Sequence, residues 1–140
     1  MGLDFEHGLL NLPASKTGKK SIFLSGAALD VLATLPRLDG NDFIFPGGKD
    51  GMPRADFKRP WEAVTKAAGL EALRIHDLRH SFASIGAAGG LGLPIIGMLL
   101  GHATPAMTAK YAYFDNDQVR RAVNQIGSAI SAEMTAKSSL

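Results

Sequence analysis

The sequence of 140 residues has no cysteine, only one tryptophan and two tyrosines, and no long apolar run. Without cysteine the chain can form neither a disulfide nor a thiolate metal site, which fits a reducing compartment. A membrane-spanning helix needs about 20 consecutive apolar residues, and no stretch approaches that length. The first residues also lack the basic start and apolar run of a signal peptide. We therefore expect a soluble protein of the cytoplasm, with no membrane partner.

The chain also carries little net charge. Its formal charge is +2 although its isoelectric point is about 9.0, so no broad basic surface is guaranteed. Contact with nucleic acid would have to come from locally placed Lys and Arg. A hydrophobic content of 46% with 20% charged residues is ordinary for a folded protein of one domain. We expect that domain to span residues 1–134 and the patternless residues 135–140 to form a disordered tail.

Two short apolar runs near the start, residues 8–13 and 21–24, flank a polar loop that contains Gly18. This pattern predicts a β-hairpin. Ser25 is then a candidate N-cap for a helix over residues 26–33, with Pro36 just beyond its end. Helical patterns dominate the rest of the chain, so the predicted fold class is mainly α with a small antiparallel β-hairpin or sheet (α+β).

A second helix is predicted over residues 55–68, with Gly69 as its stop. Its inward stripe, at spacings of three to four, consists of Phe57, Trp61, Val64 and Ala68. Pro60 lies inside this pattern. Because proline is tolerated only in the first turn, either the helix starts near Pro60 or it kinks there.

Four further helices are predicted. The first continues the polar block 74–80 as far as Gly89. The second covers residues 93–100, with Pro94 in its first turn and Gly101 as its stop. A third opens at Thr104. The last begins near Asp117 and places four apolar residues on one stripe: Val119, Val123, Ile126 and Ile130. That stripe can close the domain's own core or dock on a second copy.

The block at residues 74–80 combines two imidazoles with two guanidiniums. At the start of a helix, His76 and Arg79 are three residues apart and share a face. Arg79 has a planar fork of N–H groups that suits two phosphate oxygens, and His76 can donate a hydrogen bond or move a proton. The block is therefore a candidate phosphate site, although solvated charges at a helix start explain the same residues. His80 follows His76 at a zinc-compatible spacing, but no third ligand has diagnostic spacing, so we interpret His80 as structural and expect no metal.

Four motifs in order give the chain a family resemblance. They are Ser15-Lys16-Thr17-Gly18-Lys19, Ile75-His76-Asp77-Leu78-Arg79-His80-Ser81-Phe82-Ala83, Leu99-Leu100-Gly101-His102 and Thr108-Ala109-Lys110-Tyr111-Ala112. Over residues 4–117 the chain resembles the catalytic domain of the tyrosine recombinases, the phage integrase family. Such proteins are encoded by bacteria or phages and act on double-stranded DNA.

The resemblance implies a reaction and a role for each matching residue. Members cut one DNA strand by transesterification through a 3′-phosphotyrosine intermediate and need neither a metal nor another cofactor. By position, Tyr111 is the implied nucleophile, Arg79 the clamp on the non-bridging oxygens, and Lys16 the acid for the leaving 5′-oxygen. His76 is the implied phosphate ligand and proton-transfer partner, and His102 a further donor. Charge stabilisation and protonation of the leaving group are what a phosphodiester requires.

Two of these assignments have rivals in the sequence. Lys19 or Lys20 can replace Lys16 as the phosphate-directed lysine, because all three occupy the same short stretch. Tyr113 is a rival to Tyr111. Two residues along a helix turn a side chain by about 200°, so both tyrosines cannot serve equally.

The chain departs from the family pattern at one catalytic position. Members carry a first catalytic arginine upstream of the strand that here falls near residues 4–12. We therefore expect the chain to be a truncated recombinase that cleaves DNA poorly alone. The alternative is a non-catalytic DNA-binding or regulatory remnant. The resemblance also implies self-association into a tetramer on DNA, with the final helix as the docking element.

Overall fold

A computed structural model of the protein describes residues 2–12, 20–49, 51–101 and 115–137. Over these residues the chain forms a three-stranded antiparallel sheet and five helices, which confirms the predicted α+β class. The strands are β1 (Gly2–Asp4), β2 (Leu9–Leu12) and β3 (Lys20–Phe23). The helices are α1 (Gly26–Thr34), α2 (Lys58–Ala67), α3 (Asp77–Ala88), α4 (Leu93–Leu99) and α5 (Asn116–Lys137).

The sheet has the strand order β1-β2-β3, with β2 in the centre. Leu10 of β2 pairs with Leu3 on one side and with Ile22 on the other. The hairpin of β2 and β3 confirms the sequence prediction. The sequence does not predict β1 as a separate strand, because three residues are too few to show an alternating pattern.

Helix α1 receives two caps at its amino end. The Ser25 hydroxyl accepts a hydrogen bond from the Ala28 N–H at 3.2 Å, which confirms Ser25 as the predicted N-cap. Asn124 of α5 adds a second cap, since its Oδ1 accepts the Gly26 N–H at 2.8 Å. Two of the amide groups that a helix start leaves unpaired are thereby satisfied, one locally and one by the last helix.

Helix α2 starts at Lys58, so Pro60 lies in its first turn and the chain has no need to kink. The predicted inward stripe is wrong at three of its four positions: Phe57 is 43% and Val64 62% exposed, and Ala68 is exposed as well. Trp61 is half-buried, and the buried residue of the helix is Thr65. The Thr65 hydroxyl donates to the Trp61 carbonyl oxygen at 3.0 Å, which satisfies its polar atom in the interior. Gly69 ends the helix with a positive φ of 68°, as predicted.

The buried apolar side chains of the described residues lie on α4 and α5. We call this set the helical core: Ile95, Ile96, Val119, Ala122, Val123 and Ile126. Helix α3 approaches it closely, because a Cβ added at Gly86 would lie 2.9 Å from Cδ1 of Ile126. Pro94 in the first turn of α4 and Gly101 beyond its end fulfil the predicted boundaries.

The stripe on α5 packs against its own chain. Val119, Val123 and Ile126 are only 2%, 4% and 1% exposed, so they close the domain's core and are not a free docking face. The fourth residue of the predicted stripe, Ile130, is half-buried. The helix continues to Lys137. Residues 138–140, and the helix predicted to open at Thr104, lie outside the described residues. Among the helices that are described, none has the length and apolar character to cross a membrane.

Candidate functional site

The polar block at residues 74–80 forms a tight turn that leads into α3. Three consecutive backbone bonds span three residues each, with Asp77 N–H to the Arg74 carbonyl at 2.9 Å, then Leu78 to Ile75 and Arg79 to His76. This is 3₁₀ geometry, which commonly precedes an α-helix. His76 already has helical backbone angles, φ −65° and ψ −25°. His76 and Arg79 therefore lie one turn apart, as the sequence predicts.

Trp61 attaches this turn to helix α2. Its indole Nε1–H donates to the Leu73 carbonyl oxygen at 2.7 Å, immediately before the block begins. The Leu70 N–H also donates to the Thr65 carbonyl at 2.7 Å. The loop that presents the block is thus held at two points by α2, one of them a side-chain hydrogen bond over 12 residues.

One arginine of the block is engaged by a neighbouring carboxylate. Arg74 Nη2 lies 2.7 Å from Asp77 Oδ1, and the Arg74 backbone N–H donates to Asp77 Oδ2 at 2.9 Å. The side-chain bond from Arg74, followed by its backbone N–H, lowers the pKa of Asp77 to about 2. The same bond raises the pKa of Arg74. Arg74 therefore stabilises the turn, and its guanidinium is already paired with a carboxylate.

The second arginine, Arg79, differs from Arg74 in its burial and in its contacts. Its side chain is half-buried in α3, and it forms no hydrogen bond or ion pair with any residue that the structure describes. A guanidinium in a partly desolvated position interacts more strongly with an anion than one in bulk water. With the exposed His76 one turn before it, Arg79 is the arginine that can receive a phosphate group.

His80 lies on the surface beside His76. The two ring centroids are 5.5 Å apart and the ring planes are nearly perpendicular, at 79°. Because the side chain is exposed, His80 is not a packed core residue. Across the described ranges, no group of three or more His, Cys, Asp or Glu side chains is placed to hold a metal ion.

The structure brings together two of the five predicted site residues, His76 and Arg79. Lys16, His102 and Tyr111 fall in residues 13–19 and 102–114, outside the described part of the chain. The rivals Lys19 and Tyr113 fall there too, and Lys20 belongs to β3.

Sequence reasoning missed the two contacts that shape the block. The pairing of Arg74 with Asp77 had a visible signal, because opposite charges three residues apart at a helix start commonly meet. The bond from Trp61 to the Leu73 carbonyl had no comparable signal, since it joins separate elements.

With this geometry, the comparison with protein families identifies the class. Residues 2–118 match the model of the phage integrase family. The chain belongs to that family. Its curated relatives are named integrases and tyrosine recombinases. Site-specific recombination is the activity of the family as a whole.

Individual relatives are similar over different parts of the chain. The tyrosine recombinase XerC of Pseudomonas aeruginosa (strain LESB58) is 34% identical over 123 residues, covering 81% of this chain and 39% of the relative. The integrase of Salmonella phage P22 is 32% identical over 75 residues, 54% of this chain and 19% of the relative. An integrase of Saccharopolyspora erythraea is 26% identical over 113 residues, 71% of this chain and 26% of the relative. The chain thus spans less than two fifths of each of these relatives. No solved structure matches it significantly.

Proposed function

We propose that the chain is the catalytic part of a site-specific recombinase that cleaves and rejoins double-stranded DNA through a 3′-phosphotyrosine intermediate. One observation carries the proposal. Within the described residues Arg79 has no partner and lies one turn from His76, whereas the neighbouring Arg74 is bound by Asp77. Membership of the phage integrase family supports the same assignment. The block is thus arranged with one engaged arginine and one available for the DNA backbone.

In the proposed reaction Tyr111 gives its hydroxyl proton to His76 as its oxygen attacks the scissile phosphorus, and the bond from phosphorus to the 5′-oxygen breaks. Lys16 donates the proton that the leaving 5′-oxygen needs. Arg79, His76 and His102 donate hydrogen bonds to the equatorial oxygens, where charge develops. The phosphotyrosine ester conserves the energy of the broken phosphodiester bond. Attack by another 5′-hydroxyl on the phosphorus therefore releases tyrosine and joins the strands. The reaction as proposed needs no metal ion or other cofactor.

The size of the expected effects follows from the charges involved. Tyrosine has a reference pKa of about 10, so a cationic surrounding is needed to activate Tyr111 near neutral pH. Removing one preorganised donor from such a site slows reactions by about 10²–10³-fold. The family pattern includes a further arginine that these 140 residues do not match. We therefore propose that this polypeptide alone cleaves DNA slowly.

Self-association belongs to the same proposal, with one restriction. Because Val119, Val123 and Ile126 are buried in their own chain, contact between copies through α5 must use its other faces. We propose that the tetramer forms on DNA, where the phosphates draw several copies together. Light scattering with and without a DNA site would test this, and a tetramer without DNA would contradict it.

The experiment that tests the function is covalent trapping on a DNA duplex nicked beside the cleavage site. Loss of the short strand prevents rejoining, so a slow reaction still accumulates a protein–DNA complex that survives denaturation. We expect Tyr111→Phe to abolish the complex and Tyr113→Phe to retain it. Arg79→Ala should slow trapping by about 10²–10³-fold. The matched substitution at exposed Arg37 should leave the trapping rate nearly unchanged.

Each contrary result points to a specific error. Trapping that persists in Tyr111→Phe and disappears in Tyr113→Phe would transfer the nucleophile to Tyr113. Trapping that falls equally in Arg37→Ala and Arg79→Ala would remove the special role of Arg79. A chain that binds DNA but never forms a covalent complex would be the non-catalytic DNA-binding remnant.

A further inference from the structure

We propose that His76 and His80 form a chelating site for a divalent transition-metal ion, with Zn²⁺ as the representative ion. The two residues are four apart on α3 and its preceding turn, and both side chains are exposed. Their ring centroids are 5.5 Å apart. Two histidines at this spacing on one helical face are a known arrangement for binding zinc.

The distance between the rings fits a single ion between them. With Zn–N bonds of about 2.0–2.1 Å, two imidazoles on one tetrahedral ion have centroids on the order of 5 Å apart. The rings are nearly perpendicular, at 79°. Because both are exposed, rotation about the side-chain bonds can turn one nitrogen of each toward the ion without moving the backbone.

Neither ring is held by another group in the described part of the chain. The histidine hydrogen bonds there belong to His7, which contacts Asp4 at 2.9 Å. Both imidazoles of the pair can therefore adopt the tautomer that presents a free nitrogen. This availability distinguishes the pair from a structural histidine, whose nitrogens are already used.

The charges around the pair give little general attraction to a cation, so binding has to come from the bonds to the imidazole nitrogens. Asp77 interacts electrostatically with His80, but its negative charge is largely offset by Arg74, and Arg79 adds a positive charge beside His80. A hard cation such as Mg²⁺ prefers oxygen ligands and gains little here. Zn²⁺, Ni²⁺ and Cu²⁺ form strong bonds to imidazole nitrogen, so they are the ions that the pair selects.

Among the residues that the structure describes, the proposed site has two protein ligands, so water can complete the coordination sphere and the ion exchanges readily. A closed structural zinc site needs four protein ligands, and the sequence has no third ligand at diagnostic spacing. The proposed site is therefore an open one, in which the ion also binds water. A consequence rests on the proposed function: an ion held here withdraws His76 from the phosphate group. Zn²⁺ would then weaken the trapping reaction of the wild-type chain.

The test is isothermal titration of the chain, prepared without a histidine tag, with Zn²⁺ at neutral pH. We expect one ion per chain, and an affinity lowered at least about tenfold in both His76→Ala and His80→Gln. His7→Ala, at an exposed histidine near an aspartate, is the matched control and should keep the wild-type affinity. Mg²⁺ should give no heat of binding. Equal affinity in His80→Gln and wild type would overturn the proposal.

A second measurement does not depend on the variants folding well. In the wild-type chain, Zn²⁺ should shift the imidazole NMR signals of two histidines together, and the melting temperature should rise with ion concentration. Signals of His7 shifting in place of those of His76 and His80 would overturn the site. Both measurements contain no DNA, so their failure leaves the proposed recombinase function standing. Failure of covalent trapping likewise leaves the metal site standing.

Discussion

The helical core buries its apolar side chains, whereas the segment between α1 and α2 leaves several of its apolar side chains exposed. In the helical core, Ile126 is 1% exposed and Val119 2%. The aromatic segment, residues 43–57, leaves Phe43, Phe45, Met52 and Phe57 between 36% and 56% exposed. Burial of apolar surface contributes roughly 25 cal/mol per Å², so α4 and α5 supply much more of the stability per residue. The aromatic segment depends more on local backbone bonds, such as Arg54 N–H to the Phe45 carbonyl at 2.8 Å.

The polar block at residues 74–80 lies between these two regions. Its helix α3 packs on the helical core through Ala83 and Gly86. Its leading turn is attached to α2, the helix that follows the aromatic segment, through Trp61. Arg79 therefore lies on a helix that packs on the helical core. The turn before that helix is held by α2, next to the more exposed aromatic segment. Substitutions in each region should separate stability from site geometry.

Truncation of a core isoleucine should have the largest effect. Ile126→Ala leaves a cavity where the side chain is fully enclosed, and we expect a loss of about 2–5 kcal/mol in unfolding free energy. Phe45→Ala removes more atoms but from a side chain that is 49% exposed, so we expect only about 1 kcal/mol. Urea denaturation of both variants measures the difference. Equal losses would abolish the contrast between the two regions.

Addition of a methyl group at Gly127 should have the next largest effect. A Cβ there would overlap Oγ and Cβ of Ser25, because α5 passes directly over the start of α1. We expect Gly127→Ala to cost about 1–3 kcal/mol. The control is Gly26→Ala in α1, where the nearest atom lies 3.9 Å away and the stability should stay the same or rise slightly.

The overlap can be confirmed by relieving it. Adding Ser25→Gly to Gly127→Ala removes the side chain that is struck, at the cost of one cap whose replacement by glycine costs only a few tenths of a kcal/mol. The double variant should therefore be more stable than Gly127→Ala alone. Strictly additive losses would show that the contact between α1 and α5 is not this close.

Removal of the indole hydrogen bond should have a smaller effect on stability and a specific one on the site. Trp61→Phe loses the 2.7 Å bond to the Leu73 carbonyl and should cost about 1 kcal/mol. Since this bond holds the turn before Arg74, covalent trapping should slow by more than the stability loss explains. Thermal melting and trapping measure the two effects, with Phe57→Leu as a control in the aromatic segment. Unchanged trapping in Trp61→Phe would remove the positioning role.

The smallest expected effect is a pH dependence from the pair of Arg74 and Asp77. The pKa of Asp77 is lowered from 3.8 to about 2, so its contribution is fully present above the ordinary value and disappears as the pH falls through the folded value. The stability difference between wild type and Asp77→Asn should therefore shrink between pH 4 and 2. Asp30→Asn, at an exposed aspartate of α1, should show no matching change. A constant difference for Asp77→Asn across this range would contradict the ion pair.

The sequence predicts those parts of the fold that depend on short-range chemistry. Ser25 as a cap, Pro60 in a first turn, and glycines at 69 and 101 beyond helix ends all follow from backbone geometry that one residue determines. The stripe predicted for α2 fails at Phe57, Val64 and Ala68, because the helix turns Thr65 inward and the Trp61 carbonyl oxygen accepts the bond of its hydroxyl. Which face of a helix turns inward depends on its neighbours, and periodicity alone does not contain them.

The candidate site also has a local part that the sequence predicts and a long-range part that it does not. The spacing of His76 and Arg79 is local, so the sequence predicts their shared face correctly. The sequence shows both arginines of the block equally, and only the 2.7 Å contact between Arg74 and Asp77 distinguishes the engaged one from the available one. The roles of Lys16, His102 and Tyr111 join segments far apart in the chain, and they stay predictions that the trapping experiment decides.

The two caps on α1 become available at different times as the protein is synthesised. Ser25 is three residues from the amide it caps, whereas Asn124 is 98 residues from Gly26. At about 5–20 residues per second, the ribosome needs on the order of ten seconds to supply the second cap. During that interval α1 has only its serine, and the helical core lacks α5 entirely. The apolar side chains of α4 that pack against α5 therefore stay exposed in the nascent chain until α5 has been synthesised.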